Sequence, residues 1–90
     1  MQTIYKYPVP VAGSVTVPMP AGAKIIRIAR QGFHIFAWAE VDTEKPIEPR
    51  TILCIGTGHD LDLLGKGERS YICSVETIDG LVWHYYESVK

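Results

Sequence analysis

The chain predicts an all-β domain: a small antiparallel sandwich or partly open barrel of about six to seven strands. Three features carry that expectation. Polarity alternates residue by residue from Tyr71 to Thr77 and from Leu81 to Glu87 around Asp79-Gly80, the pattern of a half-buried hairpin. Ala23–Ala29 and Phe33–Val41 are rich in Ile, Phe and Trp and are separated by Arg30-Gln31-Gly32. Ile52–Ile55 is continuously apolar, as a strand buried on both faces requires.

Thr3–Tyr7 reads as the first strand, with Tyr5 and Tyr7 on one face, and Pro8 and Pro10 end its ladder because neither has an amide hydrogen to donate. Ala12-Gly13 permits a turn. Ser14–Val17 alternates again, and Pro18-Met19-Pro20-Ala21-Gly22 reads as a rigid connection that places this segment at a sheet edge. Arg30-Gln31-Gly32 joins the next two strands, with Gly32 at positive φ. A single helix across this region competes with the strand reading, but Gly32 at its centre costs about 1 kcal/mol relative to Ala, and the β-branched and aromatic residues favour strands.

Asp42–Pro49 is polar, and its prolines exclude both a helix and a central strand, so it reads as a surface loop. Arg50–Gly56 is the buried strand. Asp60–Arg69 is a polar loop with one helical turn at Leu61–Leu64. A two-residue turn at Asp79-Gly80 would mix polar and apolar residues on both faces of the last hairpin. A three-residue loop, Ile78-Asp79-Gly80, instead opposes Val75 with Trp83, Ser74 with His84 and Cys73 with Tyr85. That register turns Tyr71, Cys73, Val75, Leu81, Trp83 and Tyr85 to the core and Ser74, Glu76, His84 and Tyr86 outward.

Ninety residues form one domain, residues 1–90, with a single small core. Hydrophobic residues make up 47% and charged residues 21%, which excludes the composition of a disordered chain. A formal charge of -1 provides no overall positive field for nonspecific nucleic-acid binding, and Lys24, Arg27 and Arg30 read as a solvated strand face. No apolar run is long enough for a signal peptide or a membrane span. Cys54 and Cys73 lie within strands and read as reduced buried thiols of an intracellular protein, with a single bridge between them as the alternative.

His34, His59 and His84 lack the short paired spacing of a zinc site, and no cofactor fingerprint is present, so neither a metal nor a cofactor is expected. Gly56-Thr57-Gly58-His59-Asp60 is the most site-like segment, because a glycine-rich turn exposes backbone amides beside two titratable groups. It lacks the Lys-Ser or Lys-Thr pair and the long helix of a phosphate loop. No serine or cysteine stands beside a base in a strained turn, so no catalytic residue is assigned and the chain reads as a non-enzyme. The aromatics Tyr5, Tyr7, Phe36, Trp38, Trp83, Tyr85 and Tyr86 exceed what one small core holds, which implies an exposed interface for a partner or a second copy. Trp38, His59, Asp60, His84 and Tyr86 are the candidate binding residues.

Thr3-Ile4-Tyr5-Lys6-Tyr7-Pro8, Glu48-Pro49-Arg50-Thr51, Gly56-Thr57-Gly58-His59 and Leu81-Val82-Trp83-His84-Tyr85-Tyr86-Glu87 together resemble a family of short proteins from tailed bacteriophages and prophages that has no established activity. The resemblance spans nearly the whole chain and implies a phage-encoded protein acting in the cytoplasm of a bacterial host. The expected function is a non-enzymatic accessory protein, possessing a homo-oligomeric interface, that binds and sequesters a host protein or a small signalling ligand. A virion or assembly component is the alternative, and a small enzyme acting on a phosphorylated ligand through His59 and Asp60 the third.

Overall fold

In a computed structural model, which describes residues 1–89, the chain forms seven strands. They are β1 (Gln2–Val9), β2 (Gly13–Pro20), β3 (Lys24–Gln31), β4 (His34–Asp42), β5 (Ile47–Gly56), β6 (Arg69–Glu76) and β7 (Val82–Ser88). One 3-10 turn, Leu61–Leu64, interrupts the loop between β5 and β6, where the sequence expects a helical turn. The strands divide into two antiparallel sheets, ordered β1-β4-β3 and β2-β5-β7-β6, and neither sheet closes on itself. The architecture is therefore the expected antiparallel sandwich. Among the described residues no helix is long and apolar enough to cross a membrane.

Alternation along the strands builds the core. β4 turns Ile35, Ala37, Ala39 and Val41 inward, all buried, and the small Ala37 and Ala39 leave volume for Met19, Ile52 and Tyr85 of the other sheet. Ile52 to Gly56 are buried in succession, as the apolar run predicts, because the outward Leu53 and Ile55 are covered as well. Cys73 ties the sheets together, its thiol donating to the Ile28 carbonyl at 3.5 Å. Both cysteines are free, Cys54 buried and Cys73 half-buried. At one end of the core Arg50 forms a two-pronged ion pair with Glu87 and donates to the Ala23 carbonyl at 2.7 Å, linking β5, β7 and the start of β3.

The prolines mark edges rather than ends. β1 runs through Pro8 and β2 through Pro18 and Pro20, since each is an edge strand with one side free of ladder partners. The Asp42–Pro49 loop is correspondingly shorter, and β5 begins at Ile47. Pro49 is tolerated because it faces Pro18, and β7 joins β5 only from Ile52 onward, so no ladder bond is lost there. The β3–β4 turn is Gly32-Phe33 rather than Arg30-Gln31-Gly32: Gln31 pairs with His34, and Gly32 at φ +65° permits the tight two-residue connection.

The last hairpin takes the three-residue loop. Val75 faces Trp83, Ser74 faces His84, Cys73 faces Tyr85, and Gly80 has φ +85°. Two residues expected in the core lie outside it. A bulge between Tyr71 and Cys73 brings Tyr71 opposite Tyr86 and turns it into solvent, and Leu81 sits beyond the cover of the facing sheet, where Thr77 N–H bonds its carbonyl.

Ala12 holds φ +70° in the crossover from β1 to β2, a region in which a Cβ is strained. Ala12→Gly is therefore expected to stabilise the fold by about 1 kcal/mol in urea denaturation; a variant less stable than the parent would contradict this. Burial raises the Cys54 and Cys73 thiols above their ordinary 9.0 and the Tyr85 phenol above its ordinary 10.0. Above pH 9.0 the unfolded chain releases protons that the native state retains, so stability falls as pH rises through that range and onward toward the raised native values. Thermal melts in alkaline buffers are expected to show a falling Tm, and a flat profile would rule out this linkage.

Candidate functional site

Successive strands run in opposite directions, so the β1–β2, β3–β4 and β6–β7 connections and the start of the β5–β6 loop gather at one end of the sandwich. The Arg50–Glu87 ion pair closes the opposite end. Gly56 ends β5 where the chain must pass close to its neighbours: a Cβ there would lie 3.1 Å from His59 and 3.2 Å from Trp83. The His59 ring consequently packs against Trp83 at a centroid distance of 6.1 Å, while the His59 backbone N–H donates to the Gly56 carbonyl. Gly58, at φ +88°, makes the turn that brings it back.

His59, His84 and Tyr86 line one open cleft of about 280 Å³ together with Ile55, Thr57 and Leu61. Three of the five residues singled out from the sequence thus share a surface. Asp60 adjoins it, but its carboxylate accepts the Asp62 N–H at 2.9 Å and caps the 3-10 turn. Trp38 lies elsewhere, on the outer face of the three-stranded sheet.

His84 stands at the centre of a chain of hydrogen bonds that the sequence did not reveal. Its Nε2 is 2.8 Å from Thr57 Oγ1 and its Nδ1 is 2.7 Å from Ser74 Oγ, which is itself 2.7 Å from the Tyr71 hydroxyl. Thr57 Oγ1 also reaches the Val82 carbonyl at 3.3 Å. A carbonyl only accepts, so Thr57 donates to Val82 and accepts from His84 Nε2–H; a neutral ring then accepts from Ser74, which accepts from Tyr71. One tautomer satisfies all four side chains. Tyr71 packs edge-on against Tyr86 at 5.5 Å, and the Arg69 guanidinium lies over Tyr86 at 5.5 Å, so the network has a rigid flank.

A serine bonded to a histidine invites comparison with a nucleophile and its base. Ser74, however, lies in mid-strand rather than on a turn that would present its Oγ, and that oxygen already accepts from Tyr71. The arrangement locks β5, β6 and β7 together beneath the cleft. Among the described residues no three His, Cys, Asp or Glu side chains converge as metal ligands.

The loop end also exposes large apolar side chains: Phe33 at 81%, Leu63 at 74% and Ile78 at 62%, with Val11, Leu61 and Leu81 beside them. Val11, Phe33 and Ile78 share a second cleft of about 220 Å³ with Arg30 and Trp83. Their signal was available as lone apolar residues inside turns, where alternation predicts polar ones.

Fold and surface define a two-sheet β domain that presents its loops at one end. Residues 1–90 match the family described as a domain of unknown function, DUF7352, and the chain belongs to that family. No curated protein and no solved structure matches the chain.

The directional chain fixes an observable. In alkaline buffer, where an imidazole is neutral, nitrogen-detected NMR is expected to find the His84 proton on Nε2, and Ser74→Ala to spread it toward Nδ1. An Nδ1–H ring in the parent protein would show that the bonds run the other way.

Proposed function

We propose that the protein is a non-enzymatic binding domain whose loop end engages a partner protein, and that it serves as a phage-encoded accessory protein sequestering a factor of its bacterial host. The carrying observation is the apolar crown: six large apolar side chains exposed on four connections at a single end of the sandwich. Scattered apolar residues are ordinary on a surface, but Val11, Phe33 and Ile78 line one cleft, and such a grouping is the usual form of a protein-binding patch. The cleft of His59, His84 and Tyr86 adjoins this crown and supplies polar contacts at its rim. Phage origin and cytoplasmic action rest on the resemblance of the sequence.

The assembly reading has weaker support. Strand pairing between subunits needs open edges, whereas β1 and β2 carry prolines, and β3 and β6 carry bulges and lie nearest each other across the sandwich. Enzymatic action through His59 and Asp60 is disfavoured because Asp60 is committed to its cap.

The test compares the parent with Phe33→Ser and Leu63→Ser on an affinity matrix exposed to bacterial lysate. Both substitutions lie at exposed loop positions and are expected to leave stability within about 0.5 kcal/mol. A host protein retained at stoichiometric level by the parent and lost from both variants supports the reading. Retention of the same protein by all three, or of none by the parent, counts against it.

A further inference from the structure

β4 inverts the usual use of a sheet. Its core-facing row includes the small Ala37 and Ala39, whereas its outward row is His34, Phe36, Trp38 and Glu40. Among the described residues no segment covers these aromatics. On the four-stranded sheet the outward Leu53 and Ile55 are buried, with the 3-10 turn against β5, but Phe36 and Trp38 remain half-exposed at the centre of their sheet.

Cations flank the two rings in register. Lys6 on β1 and Arg27 on β3 both stand opposite Trp38, one on each side, and Lys24 stands opposite Glu40. The Lys6 ammonium lies 4.5 Å from the Phe36 centroid, and the Arg27 guanidinium 5.7 Å from that of Trp38. Phe36 and Trp38 meet edge-on, their centroids 6.1 Å apart and their planes inclined at 62°, so bases seated one on each ring would be splayed from one another rather than parallel. Three exposed cations thus meet one exposed carboxylate, Glu40, in a chain whose overall charge is -1; Asp42, at the end of β4, lies 3.7 Å from the Met1 amino group.

We infer that the outer face of the three-stranded sheet binds single-stranded nucleic acid, with bases stacking on Phe36 and Trp38 and phosphates held by Lys6, Lys24 and Arg27. Aromatic rings interleaved with cations on an open sheet are the chemistry that single strands require: every base has a face to stack, and the backbone carries one negative charge per nucleotide. A duplex hides its base faces and gains only the cations. The overall charge excludes a broad polyanion-binding surface but not this local one. This surface is distinct from the loop end proposed for a partner protein, so each is tested without the other.

The experiment is fluorescence anisotropy of labelled oligo(dT) and oligo(U) of about 15 nucleotides, titrated with the full chain in about 50 mM salt. Saturable binding to either polymer is expected, with a duplex of equal length bound more weakly; the tighter of the two identifies the preferred sugar. Phe36→Ala and Trp38→Ala should each weaken binding about ten-fold or more. Arg27→Glu, at an exposed position, should weaken it too and flatten a salt dependence whose log–log slope is about -2 in the parent. Amide and indole NMR shifts of the unmodified protein map the contact without any substitution and should centre on Phe36 and Trp38. Absence of binding, equal affinity for duplex, shifts centred on the loop end, or a dimer in sedimentation that buries Trp38 would each overturn the inference.

Discussion

The fold depends on Tyr85 more than on any other single residue. It is fully buried, on a central strand of the four-stranded sheet, and its hydroxyl donates to the Pro10 carbonyl at 3.0 Å. Pro10 belongs to the crossover that carries the chain from the first sheet into the second. A buried phenol needs a partner for its O–H, and here the partner is the segment whose position decides how the two sheets face each other. Cys54 and Cys73 flank it in register, and burial of this group raises all three protons. The core is thus an apolar layer crossed by two directional bonds, Tyr85 to the Pro10 carbonyl and Cys73 to the Ile28 carbonyl.

With only one small core, the domain leaves most of its large side chains near the surface, and the two sheets treat that surface differently. The four-stranded sheet covers its outer face with the loop after β5, and His84, Ser74, Thr57 and Tyr71 join strands beneath the cleft in a saturated hydrogen-bond chain. The three-stranded sheet leaves its outer face open and lines it with rings and cations. Rigid strands thereby present two chemically distinct surfaces, with a third apolar group at the loop end. The Arg50–Glu87 pair at the far end holds the strands in place without entering any of these surfaces.

Much of the local structure was legible. Period-two alternation around Asp79-Gly80 selects the three-residue loop, because the alternative register would place charge in the core. The run Ile52–Ile55 announces a strand covered on both sides, and Leu61–Leu64 its single helical turn. The prolines were legible as signs of an edge but not as strand residues, since whether a missing amide hydrogen matters depends on which neighbour would have received it. Tyr71 was misplaced for a related reason: a bulge leaves alternation intact on either side and shifts the phase between them, and one sequence carries no record of the shift.

The candidate site was legible only as separate residues. His59, His84 and Tyr86 share a cleft because β5 and β7 are neighbours, and Trp38 stands apart because β4 belongs to the other sheet; strand order is a long-range choice that local pattern does not encode. Thr57 was invisible as a partner of His84 for the same reason, since it lies 27 residues away along the chain, whereas Ser74 stands opposite His84 in the register that the hairpin's own alternation selects. By itself the sequence determined that the fold is all-β, which residues alternate, and, to within a few residues, where most turns fall, because those properties arise from neighbours along the chain. The tertiary structure alone decided which strands meet, which aromatics face solvent and which polar groups find one another, because each depends on packing two sheets around a single buried tyrosine.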